Sequence, residues 1–222
     1  MDLKETWKDV DAYFNDELKV SDEVTNSILK KNEEAGLPPI EVAATHGKML
    51  FLLAKMSGAG SILEIGTHGG YSTVWLARAL PKDGLMATLE VSDQHADIAE
   101  DNIRNAGFED QVTVIRGPAL ESLPKLLERG YPRFDFIFID ANKDGYPEYL
   151  EEALNVSTTG TVIVADNVVR QGRVIDPDSG EKSVPHIRKF IDMLSENDEI
   201  ETTVIQTVGR KGYDGFLLGR VK

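Results

Sequence analysis

The segment Leu63-Glu64-Ile65-Gly66-Thr67-His68-Gly69-Gly70-Tyr71-Ser72 contains a short apolar strand, a glycine-rich turn and the first residues of a helix. Glycine adopts backbone conformations that other residues avoid, and it lets a ligand approach the chain closely. The first turn of the following helix offers backbone N–H groups that have no partner inside the helix. A strand, a glycine-rich turn and a helix in this order are typical of ligand-binding turns in α/β proteins.

The chain after residue 58 repeats this alternation of strands and helices. Short apolar runs predict strands, and helical stretches are predicted between them. The predicted strands are residues 62–65, 85–89, 112–115, 134–139 and 161–165, and the predicted helices are residues 71–79, 94–106, 120–128 and 146–154. Strands that are apolar almost throughout belong in a parallel sheet covered on both faces. The pattern therefore predicts a doubly wound, Rossmann-like α/β fold.

The last part of the chain predicts a helix followed by two strands, at 201–207 and 214–221. Because a parallel connection needs about a dozen residues, the short segment 208–213 predicts an antiparallel hairpin at the edge of the sheet. We expect about seven strands, mostly parallel with the last one reversed, and helices on both faces.

The first 57 residues are predicted to be helical. One helix is predicted over 21–35, beginning at Ser21 and ending before Gly36, and an amphipathic helix follows and ends near Gly58. The length fits one domain, so we expect a single domain over 1–222. It comprises a helical N-terminal part, 1–57, and a Rossmann-like core, 58–222.

The composition excludes several classes of protein. The chain has 222 residues, a formal net charge of −14 and no cysteine. Without cysteine there can be no disulfide, thiolate zinc site or cysteine nucleophile. The acidic balance argues against a nucleic-acid partner, because phosphate contacts need a concentrated basic face. The sequence lacks an 18-residue apolar run and a secretion signal, so we expect a cytoplasmic protein that does not span a membrane.

The glycine-rich turn distinguishes between two cofactors. A dinucleotide turn needs Gly-x-Gly-x-x-Gly, but His68 occupies the middle position, which disfavours an NAD-dependent oxidoreductase. In the alternative pattern, Glu-x-Gly-x-x-Gly, the carboxylate of Glu64 suits a ligand that carries an ammonium and a sulfonium, as S-adenosylmethionine does. Glu90 ends the second strand, where an acid accepts both hydroxyls of a ribose. The other interpretation is a tight turn with a structural glycine.

Two strands end in residues with oxygen-bearing side chains. Asp140 follows the strand at 134–139, and Asp166 and Asn167 follow the strand at 161–165. If these strands are neighbours, two carboxylates and an amide converge at the edge where open α/β sheets bind ligands. A set made only of oxygen donors suits Mg²⁺, or Mn²⁺ or Ca²⁺ in its place. The alternative is that Asp166 and Asn167 only cap a turn.

The sequence resembles the cation-dependent O-methyltransferases, which use S-adenosylmethionine and include the caffeoyl-CoA and catechol O-methyltransferases. The resemblance covers about residues 38–222. It rests on Gly47-Lys48-Met49-Leu50, the segment 64–72, Gly117-Pro118-Ala119-Leu120, Asp140-Ala141-Asn142-Lys143 and Asp166-Asn167. Most relatives have Asp where this chain has Asn142, so a charge near the cofactor is lost.

The resemblance also implies roles for individual residues. It implies cofactor contacts from Val42, Gly66, Thr67, Ser72, Ala119 and Asp140, in addition to Glu64 and Glu90. It implies that Lys143 is the base that acts beside Asp140; the alternative is a surface lysine in a charged loop. Relatives are commonly dimers, so a homodimer is expected.

We therefore expect a methyltransferase that uses Mg²⁺ and S-adenosylmethionine to methylate a hydroxyl of a small vicinal-diol aromatic. The alternatives are methyl transfer to a different oxygen acceptor and a non-catalytic module that binds adenosyl ligands.

Three further interpretations concern the surroundings of the site. Residues 170–183 are expected to be a long loop, either a lid or a surface insertion. Asp214 lies in Gly212-Tyr213-Asp214-Gly215, which matches a motif common in relatives; the alternative is that it only caps the hairpin. His46 is expected to be a satisfied core histidine.

Overall fold

The computed structural model describes residues 2–222. Met1 lies outside this range, although it belongs to the predicted domain and its N-terminal part. In chain order the elements are α1 (Leu3–Glu17), α2 (Glu23–Glu34), α3 (Ala44–Ser57), β1 (Ser61–Ile65), α4 (Tyr71–Ala77), β2 (Leu85–Glu90), α5 (Asp93–Asn105), β3 (Val112–Arg116), α6 (Ala119–Ser122), β4 (Phe134–Ile139), α7 (Tyr146–Asn155), β5 (Ser157–Ala165), α8 (Val184–Ser195), β6 (Ile200–Gly209) and β7 (Gly212–Val221).

These elements form a seven-stranded sheet in the order β3-β2-β1-β4-β5-β7-β6. Strands β1 to β5 pair in parallel, whereas β7 is antiparallel to both β5 and β6. The predicted α/β fold is therefore confirmed, including the reversed last strand. The chain leaves β1 toward β2 on one side and returns to β4 on the other, so β1 and β4 form the crevice where doubly wound sheets bind ligands.

The two faces of the sheet bury separate apolar clusters. Alternate residues of a strand point to opposite faces, and β4 follows this rule: Phe136 and Phe138 pack with α3, α4 and α5, whereas Ile137 and Ile139 pack with α7 and α8. All of these side chains are fully buried. Helices on both faces thus explain why β1 and β4 are apolar almost throughout.

Some predicted boundaries differ from the structure. Helix α2 is capped by Asp22 rather than Ser21, because the Asp22 carboxylate accepts the N–H of Thr25 while the Thr25 hydroxyl accepts the N–H of Asp22. The helix predicted over 120–128 stops at Ser122 and continues as a 3₁₀ turn over Leu123–Lys125. Pro124 has no N–H for an α-helical bond, which accounts for the break.

The segment predicted as a long loop over 170–183 is partly regular. It begins with a kinked 3₁₀ segment, Arg170–Ile175, and α8 begins at Val184. None of the helices in residues 2–222 combines the length and the apolar character that a membrane crossing requires.

Candidate active site

A cavity of about 840 Å³ opens at the carboxyl ends of β1, β2 and β4. It has the size and position of a ligand site in an open α/β sheet. Of the residues predicted to contact a cofactor, those that line it are Val42, Gly66, Thr67, Ser72, Glu90, Ala119 and Asp140. We call it the cofactor cavity.

Gly66 is required by the close approach of two strands. Its φ is +103°, in the region that favours glycine. A Cβ atom at this position would overlap the backbone carbonyl oxygen of Asp140. The glycine therefore lets the turn after β1 lie directly against the end of β4.

Glu64 lies beneath the wall of the cofactor cavity rather than on it. The side chain is fully buried. One carboxylate oxygen accepts the hydroxyl of Ser72 at 2.6 Å, and the other accepts those of Thr73 and Thr88 at 2.5 and 2.7 Å. Burial raises the pKa of Glu64 to about 7, although the three hydroxyl groups oppose the rise. Glu64 thus orients Ser72, which does line the cavity.

Glu90 is positioned by backbone N–H groups at the end of β2. One of its carboxylate oxygens accepts the N–H of His68 at 2.7 Å and the other that of Ser92 at 2.9 Å. Each oxygen retains a lone pair that could accept a hydroxyl of a ligand. The two ring nitrogens of His68 are buried in the cavity wall and have no hydrogen-bond partner within residues 2–222. Burial lowers the pKa of His68, which favours the neutral imidazole.

The three predicted metal ligands lie where the cofactor cavity meets a second cavity of about 300 Å³. Asp140 lines the cofactor cavity, Asp166 lines the second cavity, and Asn167 lines both. Within residues 2–222 there is no cluster of three or more His, Cys, Asp or Glu side chains that could hold a metal. The candidate set therefore consists of two carboxylates and one amide oxygen.

This donor set fits a hard divalent cation. Burial raises the pKa of Asp166 to about 6; His46 opposes this rise and the negative charge of Asp140 adds to it. The two carboxylates are therefore close enough to repel each other, and a cation between them would relieve that repulsion. Oxygen ligands from two carboxylates and an amide are typical of Mg²⁺ sites, which keep positions for water and substrate.

Lys143 lies beside the candidate ligands. Its Nζ donates to Asp140 Oδ1 at 2.9 Å and to the hydroxyl oxygen of Tyr146 at 2.7 Å. The Tyr146 hydroxyl in turn lies within donating distance of the backbone carbonyls of Ile139 and Asp166, at 3.0 and 2.9 Å. Burial raises the pKa of Tyr146 well above its ordinary value, so the hydroxyl stays protonated. Tyr146 thus connects the lysine to the ends of β4 and β5.

Sequence reasoning missed Tyr146, although its signal was present. Tyr146 follows Lys143 by three positions, at the start of a predicted helix. Residues three positions apart lie on the same side of a helical turn, so their side chains can meet. Asn142, the residue that departs from the family pattern, lines the cofactor cavity and accepts the hydroxyl of Tyr149 at 2.6 Å.

The prediction of His46 as a satisfied core histidine is wrong. His46 lines the second cavity, and its Nδ1 lies 3.8 Å from Asp166 Oδ2. Its Nε2 is buried and finds no hydrogen-bond partner in the described part of the chain. The ring instead packs against Phe216, with the centroids 5.5 Å apart.

Asp214 holds the segment that follows Asn167, rather than only capping the hairpin. One carboxylate oxygen accepts the backbone N–H groups of Val169, Arg170 and Gly215, at 3.1, 2.9 and 3.0 Å. This segment is strained, because Asn167, Arg170 and Gln171 all have positive φ, between 54° and 57°. Strain of this kind is often found at functional sites.

Comparison with known proteins identifies the family of this chain. A family model described as O-methyltransferase matches residues 15–221. A catechol O-methyltransferase of Niastella koreensis is 46% identical over 97% of this chain and 98% of its own. An O-methyltransferase from Bacillus cereus, solved in complex with S-adenosylhomocysteine, superposes with a TM-score of 0.97 at 49% identity, covering 99% of this chain and 100% of that one.

A third relative, the O-methyltransferase TomG from Streptomyces achromogenes, was solved in complex with S-adenosylmethionine. It has a TM-score of 0.96 and 44% identity, and the match covers 100% of both chains. The resemblance deduced from the motifs is thus confirmed over almost the whole length. The chain belongs to the S-adenosylmethionine-dependent O-methyltransferase family.

Proposed function

We propose that this O-methyltransferase acts on a small aromatic vicinal diol and that it depends on a divalent cation held by Asp140, Asp166 and Asn167. The observation that carries the proposal is the position of these three oxygen donors, between the cofactor cavity and the second cavity. An acceptor in the second cavity would have its hydroxyls beside the donors and face a methyl group in the cofactor cavity.

The cofactor cavity suits S-adenosylmethionine. Glu90 can accept ribose hydroxyls, and Ala119 lies where the adenine would pack, at the end of β3. Ser72, which donates to Glu64, Thr67 in the turn after β1, and Val42 also line the cavity. These residues would bind and orient the donor, and most of the acceleration would come from holding methyl group and acceptor at attack distance.

Mg²⁺, or Mn²⁺ or Ca²⁺, would supply a positive charge that acidifies a neighbouring hydroxyl. Lys143 takes the proton of that hydroxyl on Nζ. The acceptor oxygen then forms a bond to the methyl carbon while the bond between that carbon and sulfur breaks, and its electron pair stays on sulfur. The products are the methyl ether and S-adenosylhomocysteine, and the proton leaves Lys143 to solvent. Asp140 and Tyr146 hold the Lys143 amine during this step.

Methylation assays with matched diols test the proposal. With S-adenosylmethionine and Mg²⁺, catechol is expected to be methylated, whereas resorcinol, its 1,3-diol isomer, is expected to react at least tenfold more slowly. A chelator should abolish the reaction and added Mg²⁺ should restore it. Equal rates for the two isomers, or full activity in the chelator, would rule out the vicinal-diol and cation roles.

A second candidate function is methylation of a different oxygen acceptor. It is favoured by the likeness to TomG, which is described as involved in tomaymycin synthesis. The same cofactor residues would serve, and only the walls of the second cavity would differ. In the assay above, this candidate predicts a poor rate with catechol together with clear binding of S-adenosylhomocysteine. A non-catalytic binding module predicts binding of S-adenosylhomocysteine and no methylation of any diol.

We also infer a homodimer. The support is the outer edge of the sheet, where β6 exposes Val204, Ile205 and Val208 by 43%, 41% and 53%. An exposed apolar edge strand offers unpaired backbone groups and needs a cover. Sedimentation equilibrium should give twice the mass of one chain, and the mass of a single chain would contradict the inference.

A further inference from the structure

A third cavity, of about 330 Å³, lies between α1 and the turn that joins β6 to β7. It shares Gln171 and residues 209–213 with the second cavity, so the two cavities are adjacent. Four cationic residues line its wall: Lys4, Lys8, Arg210 and Lys211. We call these four residues the basic rim. Their concentration is unusual in a chain with 24 Lys and Arg against 38 Asp and Glu.

No side chain of the basic rim belongs to an ion pair in the described part of the chain. Within residues 2–222, no carboxylate oxygen lies within ion-pair distance of any of the four side chains. The Lys211 ammonium donates to the backbone carbonyl of Pro39 at 2.9 Å, which leaves two of its N–H groups free for a ligand. Partial burial lowers the pKa of Lys211, and the negative charges of Glu41 and Asp140 oppose this lowering.

The carboxylates near the basic rim have partners of their own. Asp11 accepts the backbone N–H of Arg210 at 2.7 Å, and Glu41 accepts the side-chain amide of Asn32 at 3.0 Å. Asp214 holds backbone N–H groups, as described above. These acids position the chain locally but keep their negative charge, so the basic rim is a local concentration of cations beside a partly acidic wall.

The second cavity connects the candidate metal ligands to the basic rim. Asp166 and Asn167 lie on its wall, and so do Arg210 and Lys211. Apolar and aromatic side chains form much of the wall between them: Ile40, Val42, Met49, Val208, Tyr213 and Phe216. An aromatic ring fits such walls. A ring with its hydroxyls at Asp166 and Asn167 would direct a substituent on its opposite side toward Arg210 and Lys211.

We propose that the basic rim binds an anionic group of the acceptor, and that the preferred acceptors are aromatic vicinal diols with a carboxylate side arm. This inference rests on the proposed function, because it assumes that the diol is methylated in the second cavity. The carboxylate accepts hydrogen bonds from Lys211 and Arg210, and Lys4 and Lys8 add a longer-range attraction. The same charges repel acceptors that carry an amine.

A pair of acceptors that differ in charge tests the inference. Caffeate has a carboxylate side arm, and its methyl ester has the same ring and arm without the charge. The wild type is expected to methylate caffeate with a kcat/KM about tenfold above that of methyl caffeate, the size expected of partly exposed charge contacts. The Arg210→Met/Lys211→Met double variant is expected to lose this preference, because its kcat/KM for caffeate should fall about tenfold more than its kcat/KM for methyl caffeate or catechol.

Two controls accompany the double variant. Lys82→Met removes a positive charge from the turn before β2, which lies five strands from β6 in the sheet, and should leave the caffeate preference unchanged. Raising the salt concentration screens exposed charges, so it should raise the KM of the wild type for caffeate and not for methyl caffeate.

The outcomes separate the inference from the proposed function. If catechol, caffeate and methyl caffeate all fail to react, the proposed function is wrong. If catechol reacts but the wild type does not distinguish caffeate from its ester, or the double variant keeps the preference, the role of the basic rim is wrong. An equal loss for all three acceptors in the double variant would likewise overturn it, because it would indicate general damage to the second cavity.

Discussion

At the scale of single residues, the candidate site depends on side chains that hold other side chains. Tyr146 fixes the Lys143 amine at 2.7 Å, and Glu64 fixes the Ser72 hydroxyl at 2.6 Å. Both Tyr146 and Glu64 are fully buried, so neither can move far without breaking the packing around it. The groups that face the cavities are thus placed before any ligand arrives, which reduces the entropy lost on binding.

The role of Lys143 as the base gives a first prediction. Lys143→Met should lower kcat with catechol by about 10²–10⁴-fold, the usual contribution of a positioned base, and leave the affinity for S-adenosylhomocysteine unchanged. Lys143→Arg keeps the positive charge but cannot release a proton near neutral pH. It should therefore be as slow as Lys143→Met in steady-state assays. Recovery of the rate in Lys143→Arg would indicate that the charge alone matters.

The burial of Glu64 gives a prediction on pH. Its pKa is about 7 in the folded protein against 4.5 for the ordinary carboxyl, so the folded state retains a proton that the unfolded state releases. This favours folding below about pH 4.5, and the advantage is lost as the pH rises to about 7. Because one pKa unit corresponds to about 1.4 kcal/mol, the free energy of unfolding of the wild type should fall by about 2–3 kcal/mol relative to Glu64→Gln between pH 4.5 and pH 8.

Urea unfolding of both proteins without ligand measures this difference. Glu128→Gln, which changes an exposed carboxylate, is the control and should follow the wild type at every pH. Parallel pH curves for the wild type and Glu64→Gln would contradict the burial argument.

At the scale of elements, the segment after β5 is held in place by β7. Asp166 and Asn167 directly follow β5, and Asn167, Arg170 and Gln171 have left-handed backbone conformations. Asp214, at the start of β7, accepts the N–H groups of Val169 and Arg170. Pairing of β7 with β5 therefore places one metal-ligand candidate, Asn167, through a contact between residues more than 40 positions apart in the chain.

Removing this support should destabilise the protein and slow it. Asp214→Ala leaves the backbone N–H groups of Val169, Arg170 and Gly215 without their acceptor, so the free energy of unfolding should fall by about 1–3 kcal/mol. The kcat with catechol should fall as well, because Asn167 and Arg170 lose their fixed position. Asp214→Asn keeps a carbonyl oxygen that can accept the same N–H groups. It should be close to the wild type in urea unfolding, and equal losses in the two variants would mean that the charge, not the hydrogen bonds, is required.

The sequence predicted the parts of the site that depend only on neighbouring residues along the chain. Strands of alternating and continuous apolar character were recognisable, and so were residues at their carboxyl ends, such as Glu90 and Asp140. The contacts of His46 and Asp214 could not be predicted, because they join segments of the chain that lie close together only after the sheet has formed. Glu64 shows the limit on a single residue: its position was predicted, but only the structure reveals that hydroxyl groups surround its carboxylate.

At the scale of the whole molecule, the strand order creates the site. The chain passes from β1 outward to β3 and then returns to β4, so β1 and β4 are neighbours whose connections leave in opposite directions. The crevice between them holds the cofactor cavity, and the antiparallel β6–β7 hairpin closes the second cavity at one side. The hairpin also supplies half of the basic rim, in a chain whose net charge is −14.

The most direct test of the account is a titration with Mn²⁺, followed by the electron paramagnetic resonance signal of the free ion. The wild type is expected to bind one Mn²⁺ per chain, and catechol together with S-adenosylhomocysteine should tighten this binding. Asp140→Ala should weaken the binding at least tenfold, because it removes one of two carboxylates from the site. If the wild type binds no Mn²⁺, or Asp140→Ala binds it as tightly as the wild type, the claim that Asp140, Asp166 and Asn167 hold a cation is wrong.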